Sequence, residues 1–166
     1  MTNPNAGPLT WVAVAAAIIS AVYSGFTYNV AERSLEQQRA AMLLGQRVEA
    51  CAVIERRARD LSAEIGSALL THQLYGRSQE FFDQRARVLT TSIELSNASV
   101  LDYLGPPELA RAESDLLLRL GQASGELDRE AVSSEAVEAA REAAFQQQLE
   151  FSRACKAAVE QFREAS

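Results

Sequence analysis

The sequence predicts an all-α protein: an N-terminal transmembrane helix continuing into an up-and-down antiparallel helical bundle of about four helices, partly coiled-coil-like. Three observations predict it. The first 31 residues carry no charged side chain, and every Asp, Glu, Lys and Arg lies from Glu32 onward. Ala, Leu, Glu, Gln and Arg dominate after that point, and these residues lose little side-chain freedom in a helix. Apolar residues then recur at spacings of three and four, with no sustained alternation of the kind a half-buried strand needs. The chain accordingly divides into a short tail (1–8), an anchor (9–30) and a helical bundle (31–166).

The anchor reads LTWVAVAAAIISAVYSGFTYNV from Leu9 to Val30. About 20 apolar residues cross a hydrocarbon core as a helix. Trp11 near one end, with Tyr23 and Tyr28 near the other, suits the two headgroup interfaces. Pro4 and Pro8 precede the run, where a helix can begin. A cleaved signal peptide would need basic residues before the apolar run, and Met1–Thr10 has none. Within the anchor, Ala13, Ala17, Ala21 and Gly25 form a stripe of small side chains, the kind of face on which two membrane helices pack closely. The same spacing also arises by chance in an Ala-rich helix.

The first bundle helix runs from Glu32 to about Leu74 without a proline. Leu44, Val48, Cys51, Ile54, Ala58, Leu61, Ile65, Ala68, His72 and Tyr75 make its narrow apolar stripe, of coiled-coil type. Gly76 offers a stop. Ser78 is a good N-cap for a second helix, with Glu80 in its first turn; Phe82, Ala86, Leu89, Ile93, Val100 and Leu104 form its expected inward face. Gly105-Pro106-Pro107 breaks that helix. A third follows, with Leu109, Leu116, Leu117, Leu120 and Leu127 inward. Residues 128–134 read as a turn, with Ser133 or Ser134 capping a fourth helix. Val137, Ala140, Ala144, Phe151, Cys155, Ala158 and Phe162 lie at helical spacing along it. Short connections between such helices favour the antiparallel arrangement.

That arrangement lets the two cysteines be compared in height. Cys51 lies 23 residues before Leu74, and Cys155 lies 21 residues after Ser134. Leu74 and Ser134 belong to the same end of the bundle. At about 1.5 Å per residue the sulfurs come level to within roughly one turn, so a Cys51–Cys155 disulfide is expected; two free thiols serving as small core residues are the alternative. A disulfide places the domain outside the cytoplasm. The distribution of arginine opposes this, since no Lys or Arg precedes the anchor while Arg33, Arg39 and Arg47 follow it. The reading adopted is a single-pass membrane protein with a periplasmic domain.

Charge and composition exclude several functions. A net charge of −6 opposes nucleic-acid binding. Lys156 is the only lysine, and Arg56, Arg57 and Arg59 are flanked by Glu55 and Asp60, as on a solvated helix face. His72 is the only histidine and sits in an apolar stripe, the place of a core or interface histidine. No metal-ligand spacing, phosphate loop or nucleophile elbow occurs, so neither catalysis nor a cofactor is expected. The expected function is that of an anchored interaction protein, assembling with itself or with another membrane protein in the lipid bilayer. Two other readings compete with it. One is a small-molecule or signal sensor acting through a partner, its ligand left open; in outline, not in motif, this resembles the extracytoplasmic sensing modules of bacterial receptors. The other is a cytoplasmic scaffold tethered to the membrane.

Overall fold

The computed structural model describes the backbone of residues 8–99, 101 and 105–165, and the side chains of residues 17–99, 101 and 105–162. Four helices make up the described chain: α1 (Pro8–Tyr75), α2 (Gln79–Asn97), α3 (Pro107–Glu126) and α4 (Ser134–Ala165). There is no strand among the described residues. The chain divides into two compact units, Met1–Met42 and Leu43–Ser166.

In the first unit every described side chain from Ala17 to Arg39 is exposed. Here the expected membrane span is corrected. Among the described residues no helix is long and apolar enough to cross a membrane. Among these residues, Ala17–Ala31 is the part of α1 before the first charge whose side chains are described. Ser20, Ser24, Thr27 and Asn29 dilute that stretch. The side chains of Leu9–Ala16, Ala13 among them, lie outside the described residues. Single-pass anchoring and the membrane localisation drawn from it therefore do not stand. The anchored interaction protein and the tethered scaffold fall with them.

The second unit is a helical bundle. On α1, Cys51, Ile54, Ala58, Leu61, Ile65 and Ala68 are buried at alternating steps of three and four, the seam of a coiled coil. Tyr75 ends the helix because Gly76 takes φ +62°, where a Cβ crowds the following carbonyl oxygen. The Gly76 N–H closes the last turn on the His72 carbonyl at 2.8 Å. Ser78 then caps α2, its Oγ accepting from Phe81 N–H at 3.3 Å. Pro107 occupies the first turn of α3, where its missing N–H costs nothing. Ser133 Oγ accepts from Ala136 N–H at the start of α4.

Cross-contacts fix the directions. Arg57 meets Glu94 at 2.9 Å, Thr91 Oγ1 donates to Glu64 at 2.7 Å, and His72 lies 5.1 Å from Phe81 between ring centroids. Along this series α1 rises in number as α2 falls. Between α1 and α4 the Cys51–Cys155 disulfide, with a Cα–Cα distance of 6.2 Å, and the Gln148 Nε2 bond to the Glu55 carbonyl run opposite ways too. Arg85 pairs with Asp128 at the α2 side of the α3–α4 turn.

The inward face of α2 differs from the sequence expectation. Phe81, Val88 and Leu95 are buried, while Phe82, Leu89 and Ile93 are exposed; Val100 and Leu104 lie outside the described residues. The helix carries two apolar stripes side by side, and the tight turn at Gly76–Ser78 sets the phase by bringing Phe81 against His72, the two rings tilted. On α3, Leu109, Leu116, Leu120 and Leu127 are buried as the spacing predicts, but Glu113 joins them at 1% exposure. A polar side chain in such a seam fixes helix register at some cost in stability.

Candidate functional site

The bundle leaves a groove on its outer surface where α1 and α4 run side by side. Glu55, Arg59, Ser62 and Ala63 line it from α1; Arg141, Phe145, Gln148, Leu149 and Ser152 line it from α4. Residues spaced four, seven and eight apart share one helix face, and both sets follow that spacing. Two facing stripes thus flank an open depression of about 450 Å³. Glu55 and Ser152 continue the groove into a second stretch of about 360 Å³, which passes over the disulfide between Val48, Ala52 and Val159.

Arg141 stands at one end of the groove. The Arg141 side chain reaches across to α1 because Gly66 leaves space for it. A Cβ at Gly66 would stand 2.9 Å from Nη2 and 3.0 Å from Cζ. Nη1 donates to Glu138 at 3.1 Å, and Nε is buried without an acceptor. Arg59 on the opposite wall donates Nε to its own helix, at the Glu55 carbonyl. Phe145 and Leu149, half-exposed, give the groove an apolar wall.

No family model, curated protein or solved structure matches this chain. Function is therefore argued from the groove and its surroundings.

The residues singled out in the sequence fall in three places. Cys51 and Cys155 are bonded and border the second stretch of the groove. Ala17, Ala21 and Gly25 are exposed on α1, and a Cβ at Gly25 would meet nothing within 4 Å. His72 packs at the far end of the bundle as an aromatic partner of Phe81, its ring tilted by 60°. Sequence reasoning missed Arg141, Phe145 and Leu149, because an exposed arginine beside apolar residues on a helix back looks like an ordinary solvated face. Gly66 was the available signal: a glycine inside a good helix former is costly, and here it makes room for a neighbour.

Proposed function

We propose that this bundle is a sensor: it binds a small molecule in the α1/α4 groove and passes its occupancy to a partner protein. The observation that supports the reading is the groove itself. It has the volume of a small-molecule site and combines an apolar wall with guanidinium groups that retain unused donors. A ligand there touches α1 and α4 together, so binding favours one spacing of the two helices over others. The disulfide ties the same pair of helices at one end of the groove, which leaves the Arg141 end as the part free to adjust. In the first unit, exposed Ile18, Ile19, Val22 and Phe26 offer apolar surface to a partner. The partner is a second copy of the chain or another protein. The cross-link suits a protein working in an oxidising environment.

Thermal unfolding of the full chain with a panel of organic acids, amines, sugars and amino acids tests this. A ligand at about a hundred times its Kd stabilises by about 2.7 kcal/mol, a rise in Tm of roughly 5–10 °C for a chain of this size. Ser152→Trp, which fills the groove, should abolish that rise. A panel without effect, or a rise that survives Ser152→Trp, would overturn the proposal.

A further inference from the structure

We infer that the ligand of the α1/α4 groove is an amphipathic organic carboxylate, gripped by Arg141 and laid along Phe145 and Leu149. This rests on the sensor reading and names the chemistry of its ligand.

The guanidinium groups supply the first argument. Arginine presents a planar fork of donors that matches a carboxylate. Arg141 uses one nitrogen on Glu138, and its buried Nε has no acceptor. A buried donor left unsatisfied is costly, and an incoming oxygen removes that cost after a small swing of the side chain. Arg59 makes no ion pair among the described residues. The protein carries a net charge of −6, yet two arginines line this groove, Arg141 level with Gly66 and Arg59 about two turns away, its Nε on the Glu55 carbonyl.

Acidic groups face the groove as well. Glu138 engages a single nitrogen of Arg141. Glu55 is three turns from Gly66 along α1, roughly 16 Å, so it stands at the opposite end from the Arg141 guanidinium.

The apolar wall supplies the second argument. Phe145 is 50% exposed and Leu149 39% exposed, on successive turns of α4 leading away from Arg141. A bare inorganic anion would leave both uncovered, and a neutral hydrocarbon would strip water from the guanidinium without replacing its bonds. A carboxylate with an apolar body several carbons long satisfies both parts.

Calorimetric titration of the full chain with sodium octanoate, octanamide and inorganic phosphate tests the inference. Octanoate should bind saturably, and at least about tenfold more tightly than octanamide or phosphate, as loss of charge-assisted hydrogen bonds implies. Arg141→Gln should weaken octanoate about tenfold or more, while Arg111→Gln on the exposed face of α3 should not. Gly66→Ala is the second variant: its Cβ takes the space of the guanidinium, so octanoate affinity should fall while Tm holds or rises. Equal binding of octanamide, equal binding of phosphate, or unchanged affinity in both Arg141→Gln and Gly66→Ala would overturn the carboxylate assignment. If octanoate gives no saturable heat while another compound of the panel raises Tm in a groove-dependent way, the carboxylate assignment fails and the sensor reading stands. If nothing in either set binds, both fail.

Discussion

Removing the Cys51–Cys155 disulfide should be among the most destabilising changes in this chain that leave its core side chains in place. The bond closes a loop with a sequence separation of 104 residues. In the chain-entropy model, a loop that long restricts the unfolded ensemble by about 4.7 kcal/mol at 25 °C. Domains of this size are stable by only about 5–15 kcal/mol, so the loss takes a large share of the total. The perturbation is the double variant Cys51→Ala/Cys155→Ala, with the wild type under dithiothreitol as a second route to the same state. With a urea m-value near 2 kcal/mol/M, the midpoint should fall by about 2 M, and Tm should fall by about 10–15 °C. Amide exchange locates the effect. Residues 154–162 of α4 lie beyond Phe151, where the cross-link ties the helix to α1, and they should lose protection before the Leu109–Leu120 stretch of α3 does. A midpoint shift worth less than about 1 kcal/mol, in both the double variant and the reduced wild type, would refute the loop-entropy reasoning. The unfolded chain would then already hold its first and last helices together.

Three other outcomes can be checked by the same urea titrations. Phe151 is fully buried and Phe145 is 50% exposed; Phe151→Ala should cost about 3–5 kcal/mol, whereas Phe145→Ala should stay within about 0.5 kcal/mol and show its effect on ligand binding. Gly76→Ala should destabilise by about 1–2 kcal/mol, because φ there is +62°. In Gly121→Ala, where a Cβ meets nothing within 4 Å inside α3, a gain of up to about 1 kcal/mol is expected from helix propensity.

Much of the bundle was legible in the sequence because its elements announce themselves locally. Gly76 and Ser78 mark the α1–α2 turn, Pro107 starts α3, and Ser133 caps α4, each by a mechanism confined to a few residues. The seam of α1 from Cys51 to Ala68 was legible because only one apolar stripe runs along that helix. On α2 two stripes compete, and spacing alone cannot choose between Phe82–Leu89 and Phe81–Val88. The tilted-ring contact of Phe81 with His72, on another helix, makes the choice. Glu113 was missed because hydropathy discounts it, although the empty place in the leucine stripe between Leu109 and Leu116 points to that position. The membrane anchor was read from the length of the run Leu9–Val30 and the aromatics near its ends; Ser20, Ser24, Thr27 and Asn29 carry no charge and still interrupt that run. The groove was illegible for a different reason. It arises where the backs of two helices meet, and no single helix contains the pattern.

The burial pattern has a consequence for folding fidelity. Phe81, Val88 and Leu95 on α2 repeat one heptad apart, as do Val137, Ala144, Phe151 and Ala158 on α4. Equal spacing is not equal packing: moving α4 by seven residues along α1 sets Phe151 where Ala144 sits, which crowds one level of the core and leaves a cavity at another. Side-chain size therefore already favours one alignment. The two cysteines reinforce it, because that alignment brings them within bonding reach. Oxidation thus works as an indexing pin, sealing the alignment after the helices have found each other.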